Sequence, residues 1–119
     1  MSVDNLINKE ILADFILNEI DSDKEFFLKQ LGFFSKHLAD FKDAGNNPER
    51  LAQLAHKIRV GCRCFGAETF ESIMVQIEDM QKNNTLKPQS EIFKLALPLI
   101  DPMIIAITKT SEEIFREVA

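Results

Sequence analysis

Apolar residues recur along this 119-residue chain at spacings of three and four, with no strand-like alternation, so every ordered segment it predicts is a helix. The first, roughly Asn5 to Ile20, gathers Ile11, Leu12, Phe15 and Ile16 and predicts a short helix lying across something larger. A second is expected to start at Ser22, because Ser22-Asp23-Lys24-Glu25 has the S-x-x-E capping-box pattern that satisfies free amides at a helix start. It should stop near Gly45. Within it, Phe27, Leu31, Phe34, Leu38 and Phe41 alternate at four and three, the seam of a helical bundle. Phe26 and Phe33 stand about 100° to 120° off that seam. Burial under the first helix is the expectation for both, with an exposed aromatic patch as the alternative.

Asn47-Pro48 is a cap followed by proline at the first helical position, and it predicts a third helix running to about Phe65. Gly66 marks the turn. A fourth helix, roughly Ala67 to Lys82, is expected to bury Phe70, Ile73, Met74 and Ile77, with Asn83-Asn84-Thr85 closing it. After Pro88 the chain is again apolar at helical spacing, but Pro98 removes an amide donor and clashes with the preceding turn, predicting a kink or break near Pro98–Pro102. Asp101-Pro102 is expected to restart the helix as cap and first position, sending Met103, Ile107, Ile114 and Phe115 inward. Short connections favour antiparallel neighbours. The expected fold is therefore all-α: an up-down four-helix bundle with an additional N-terminal helix, one domain over residues 1–119.

Length and composition agree with this, since 45% hydrophobic residues in one short chain suffice for a core without staples. A net charge of -5 and a pI near 5.0 argue against a nucleic-acid partner, whose phosphates demand a basic face. No basic-then-apolar leader opens the sequence, and "IFKLALPLIDPMIIAI" is interrupted by Lys94, Pro98, Asp101 and Pro102 well short of a membrane span. The expectation is a cytoplasmic, soluble protein, and Met1 with complete capping favours a free-standing one.

Candidate chemistry concentrates in "LAHKIRVGCRCFGAETF", residues 54–70. On a helical wheel Leu51, Leu54, Ile58 and Phe65 fall opposite His56, so the imidazole is expected to face water. Its own face carries Glu49, Ala52, Gln53, Arg59, Val60 and Arg63. A neutral imidazole is a nucleophile near pH 7, and Arg59 and Arg63 are candidates to share the charge of a phosphoryl group placed on it. Zinc would need about four converging ligands, whereas Cys62 and Cys64 point away from His56 on either side and His37 is the only other histidine. A cysteine bridge two residues apart would unwind the helix, so structural thiols are expected. Hydrolase parts, such as a G-x-S-x-G elbow or a glycine-rich phosphate loop, are missing.

"AHKIRVGCRCFGA", residues 55–67, resembles the signature of histidine-containing phosphotransfer (HPt) domains, with Ile58, Arg59, Phe65, Gly66 and Ala67 at matching offsets. Phe70, Met74, Ile77 and Glu78 continue the pattern, and "FFLKQLGFFSKHLADFKDA" resembles the family's long second helix. The resemblance implies that His56 accepts a phosphoryl group from a receiver-domain aspartyl phosphate and passes it to another receiver. It implies response-regulator receivers and a hybrid sensor histidine kinase as partners, no kinase activity of its own, and no cofactor beyond magnesium held by the receiver. Ala52, Gln53, Val60 and Phe33 would form the docking face.

Two positions depart from the family pattern. Arg59 stands where lysine is usual and keeps the cation. Val60 stands where glycine is usual, about 40° from His56, and could crowd an incoming receiver. A degenerate bundle that binds receivers without phosphotransfer is the alternative reading, and an unrelated bundle with an incidental histidine a third. If the third and fourth helices form a hairpin about Gly66, positions 56 and 78 come level. Glu78 could then accept a hydrogen bond from one ring nitrogen and orient the other, or simply be an exposed charge.

Overall fold

The computed structural model describes residues 6–118, and all its regular structure there is helical. Asn8 opens the first helix, α1 (Lys9–Asp14), by accepting from the amides of Glu10 and Ile11. The helix then widens into a π-helical turn, Phe15–Glu19, closed by the Ile20 amide on the Phe15 carbonyl at 3.1 Å. Asn5, expected as its first residue, lies outside the described residues.

The start of α2 (Lys24–Asp43) corrects the capping-box expectation. Asp21 and Ser22 both take left-handed backbone (φ 52° and 59°), and the Ser22 amide is spent on the Ile16 carbonyl at 2.7 Å. Ser22 therefore belongs to the turn, and Asp23, the next extended residue, caps α2 by accepting from the Phe26 amide at 3.0 Å. Asn47 caps α3 (Pro48–Phe65) through the Arg50 amide, with Pro48 at the helix start as expected. Gly66 ends it in left-handed backbone, φ 77°, which a side chain would oppose. The fourth helix, α4, spans Glu68–Lys82.

Pro98 bends the last helix without breaking it. The chain runs from α5 (Glu91–Ala96) through one 3-10 turn, Leu97–Leu99, into α6 (Ile100–Val118). That turn absorbs the missing amide, so α6 has already begun at Ile100. Asp101 is consequently inside the helix and not its cap, contrary to expectation; its carboxylate pairs with Lys42 of α2 at 3.0 Å.

Helices α2, α3, α4 and α5–α6 form the up-down bundle around one contiguous apolar core. Phe27, Leu31, Phe34, Leu38 and Phe41 line the α2 seam, all buried. Aromatic rings gather at both ends. Phe27 meets Phe65 edge-on at 5.6 Å and Phe115 at 5.4 Å, while Phe41 meets Phe70 and Phe93 at 6.3 and 5.3 Å. The first helix packs on α3 and α6, and Phe15 reaches Phe27 and Phe65. Because that cover falls on the seam side, Phe26 and Phe33 are not buried beneath it: they are 42% and 50% exposed. No helix among the described residues is long and apolar enough to cross a membrane.

His37 gives the bundle a pH dependence. Burial, then the nearby Lys57 ammonium, hold its imidazole below the ordinary 6.5; Lys36 and Arg50 add to this and Asp40 opposes it. With the folded value depressed, the unfolded chain takes up the proton first. Stability from this group is present above about pH 6.5 and is withdrawn as pH falls below it. Replacing His37 by glutamine should flatten the decline in melting temperature just below about pH 6.5, read by calorimetry at closely spaced pH values.

Candidate functional site

The α3–α4 hairpin sets the site. Leu51, Leu54, Ile58, Cys62 and Phe65 turn α3 inward, and this leaves the His56 side chain 62% exposed on the opposite face. From α4, Phe70, Ile73, Met74 and Ile77 are buried, so Glu78 emerges at the margin of the helix pair with its side chain only 14% exposed. The two meet. His56 Nδ1 lies 2.8 Å from Glu78 Oε1, and Arg59, one turn beyond His56, places Nη1 3.0 Å from Glu78 Oε2.

One half-buried carboxylate thus serves two groups, one oxygen each. Arg59 Nη2 also approaches His56 Nδ1, at 3.3 Å. A guanidinium can only donate, whereas the shorter contact offers Nδ1 a carboxylate acceptor; Nδ1–H donating to Glu78 is therefore the arrangement that satisfies both partners. Nε2 then keeps its lone pair on the solvent side. The Arg59 Nε is buried and has no hydrogen-bond partner, a local cost of order 1–3 kcal/mol set against the ion pair.

Such a network fixes the tautomer. A bond to a carboxylate contributes about 1.5–3 kcal/mol, enough to reverse the preference of free neutral histidine for the Nε2–H form. Ring nitrogen chemical shifts measured above neutral pH should report Nδ1–H at position 56, and Glu78→Ala should return the ring to Nε2–H. An unchanged tautomer in the variant would remove Glu78 from the orienting role.

The remaining sequence candidates divide. Ala52 is half-buried beside His56; Gln53 and Val60 are exposed on the same face, Val60 by 54%. Phe33 is not on α3 but across the α2–α3 groove, sharing its lining with Val60. Arg63 is not brought to His56: its Nε donates to Glu71 Oε2 at 2.9 Å. The same hairpin register that levels 56 with 78 also levels 63 with 71, so the sequence held this pairing in principle. Cys62 is buried and Cys64 half-buried, both as free thiols whose ionisation burial disfavours. Among the described residues no group of three or more His, Cys, Asp or Glu is arranged to hold a metal ion.

Sequence reasoning treated Arg59 as a free cation, and its engagement by Glu78 was missed. Lys57 was passed over, because its place beside α2 follows only from the α2–α3 contact. The ring of Phe34 lies directly against Gly61, in the space that a Cβ there would occupy. No family model matches this chain, and neither a curated protein nor a solved structure is significantly similar to it.

Proposed function

We propose that this chain is the phosphoryl carrier of a phosphorelay, with His56 Nε2 as the accepting atom. The Nε2 lone pair attacks phosphorus in an aspartyl phosphate of a receiver domain, the bond from phosphorus to the aspartate oxygen breaks, and the carboxylate departs with the receiver. Transfer to a second receiver's aspartate is the same step reversed. While Nε2 bonds phosphorus and Nδ1 keeps its proton, the ring carries positive charge, and Glu78 at 2.8 Å is its counter-charge. Arg59, the expected cation for the phosphoryl oxygens, lies on the Nδ1 side of the ring and is ion-paired with Glu78, so its part is to hold that counter-charge in place.

A single observation carries this reading: an outward imidazole with Nδ1 tied to a half-buried carboxylate and, among the described residues, no hydrogen-bond partner at the other nitrogen. Phosphoryl transfer asks mostly for position and charge, so a rigid helix can supply the carrier's half of the site. Magnesium and the acidic cluster belong to the receiver in this scheme, and a hybrid sensor histidine kinase supplies the phosphate in a cytoplasmic pathway. Arg63, spent on Glu71, has no part in it.

The exposed Val60, one turn from His56, favours a second reading in which receivers dock but do not transfer. Incubating the chain with a receiver carrying radiolabelled aspartyl phosphate separates the two. Acid-labile, base-stable label on the chain supports the carrier. Receiver binding without label supports the docking-only bundle, and a chain that neither binds nor takes up label is an unrelated bundle with an incidental histidine.

A further inference from the structure

A groove beside this site carries chemistry that phosphotransfer does not use. Residues 30, 33, 34 and 37 of α2 and 57, 60, 61 and 64 of α3 have the same stripe spacing, and the two stripes face each other across a cavity of about 180 Å³. Buried Phe15, Phe34 and Phe65 close its floor, and exposed Phe33 and Val60 form its lips. The helices touch at Gly61, where only a hydrogen leaves room for the Phe34 ring.

Polar residues complete the lining. Lys57, His37 and the Gln30 amide are the donors there. Among the described residues Lys57 has no acidic partner within 4.0 Å; the nearby carboxylate of Asp40 is held by Lys36 at 3.6 Å. Burial first, and then the Lys57 ammonium, hold His37 below its ordinary value, with Lys36 and Arg50 adding to this and Asp40 opposing it. A cavity of roughly 150 Å³ lined by apolar side chains accepts one benzene ring, so this one has room for a ring and little more.

We propose that the α2–α3 groove is a binding site for a small aromatic monocarboxylate, its ring among the phenylalanines and its carboxylate on Lys57 with His37 and Gln30. Ring size matches the volume, edge-to-face contact with Phe15, Phe34 and Phe65 suits an aromatic better than a branched alkyl group, and a single negative charge answers the rim. The site includes none of His56, Arg59 and Glu78, so its ligand can be tested apart from phosphotransfer, although its lips, Phe33 and Val60, also belong to the expected receiver-docking face.

Phenylacetate is the probe and 2-phenylethanol its uncharged counterpart. Titrated into the isotopically labelled full chain, phenylacetate should move the Val60, Gly61 and Cys64 amide resonances saturably, with Kd of order 1 mM for a ligand of this size. The alcohol should bind more weakly by about twofold to fivefold, the share due to the charge. Lys57→Gln, on an exposed side chain that leaves the fold intact, should reduce the acid to the level of the alcohol and leave the alcohol unchanged. Absence of saturable shifts, equal affinity of acid and alcohol, or an acid indifferent to Lys57→Gln would each overturn the assignment.

Discussion

The variant His56→Gln is expected to take up no acid-labile, base-stable label from a phosphorylated receiver, under conditions in which the parent chain is labelled. An amide nitrogen has its lone pair delocalised into the carbonyl, so glutamine offers shape and polarity at this position without a nucleophile. The loss should be complete within detection, at least about a thousandfold, because no other histidine shares the site. Stability should hardly change. The side chain is 62% exposed, and Glu78 keeps its ion pair with Arg59 at 3.0 Å when the ring is gone. A shift within about 0.5 kcal/mol is the expectation for such a surface position. Label persisting on the variant would place the acceptor elsewhere and end the reading; a variant that unfolds would contradict the exposed placement of the ring.

Gly66→Ala should be the most damaging single methyl group in the chain. Position 66 has φ 77°, and the added Cβ would land on the Asn8 carbonyl oxygen, a backbone atom that cannot swing aside. Left-handed backbone costs an alanine about 1–2 kcal/mol. The collision adds to this, because relieving it breaks the 2.6 Å hydrogen bond from the Asn8 amide to the Gly66 carbonyl and lifts α1 from the bundle, exposing Leu12 and Ile16. A total of about 2–4 kcal/mol is expected, equivalent to a fall in melting temperature of roughly 10 °C or more. Gly32→Ala is the matched control. That glycine is helical, exposed and has nothing within 4 Å of the new methyl, so the change should raise stability by up to about 1 kcal/mol. Thermal denaturation of both variants, side by side, reads the contrast.

The sequence was most informative where the cause is local. Asn47-Pro48 and Gly66 bound α3 because a cap, a fixed φ and a left-handed end are properties of single residues. The apolar face of the same helix left His56 outside, and hairpin register brought it to Glu78. Where partners decide, the sequence was silent. Ser22 has the chemistry of a cap, but the π turn before it forces two left-handed residues that glycine does not announce, and Asp23 takes its place. Phe26 and Phe33, expected beneath α1, stand exposed because the lateral position of α1 depends on which pair of helices it covers. Arg59 could be placed on the His56 face, yet its bond to Glu78 exists only once α4 lies alongside. The bend at Pro98 was legible from the residue; that a 3-10 turn would carry the helix through it was not.

The clasp between the amino-terminal helix and the α3–α4 turn also imposes an order of assembly. Asn8 and Glu68, which hydrogen-bond across it, are separated by 60 positions, and α1 rests in addition on α6. During synthesis α1 leaves the ribosome long before the surface that receives it has been translated, with Leu12, Phe15 and Ile16 still uncovered. Its docking on α6, like the contact of Phe27 with Phe115 between α2 and α6, can form only after the last helix has been made, so both are late contacts of high sequence separation.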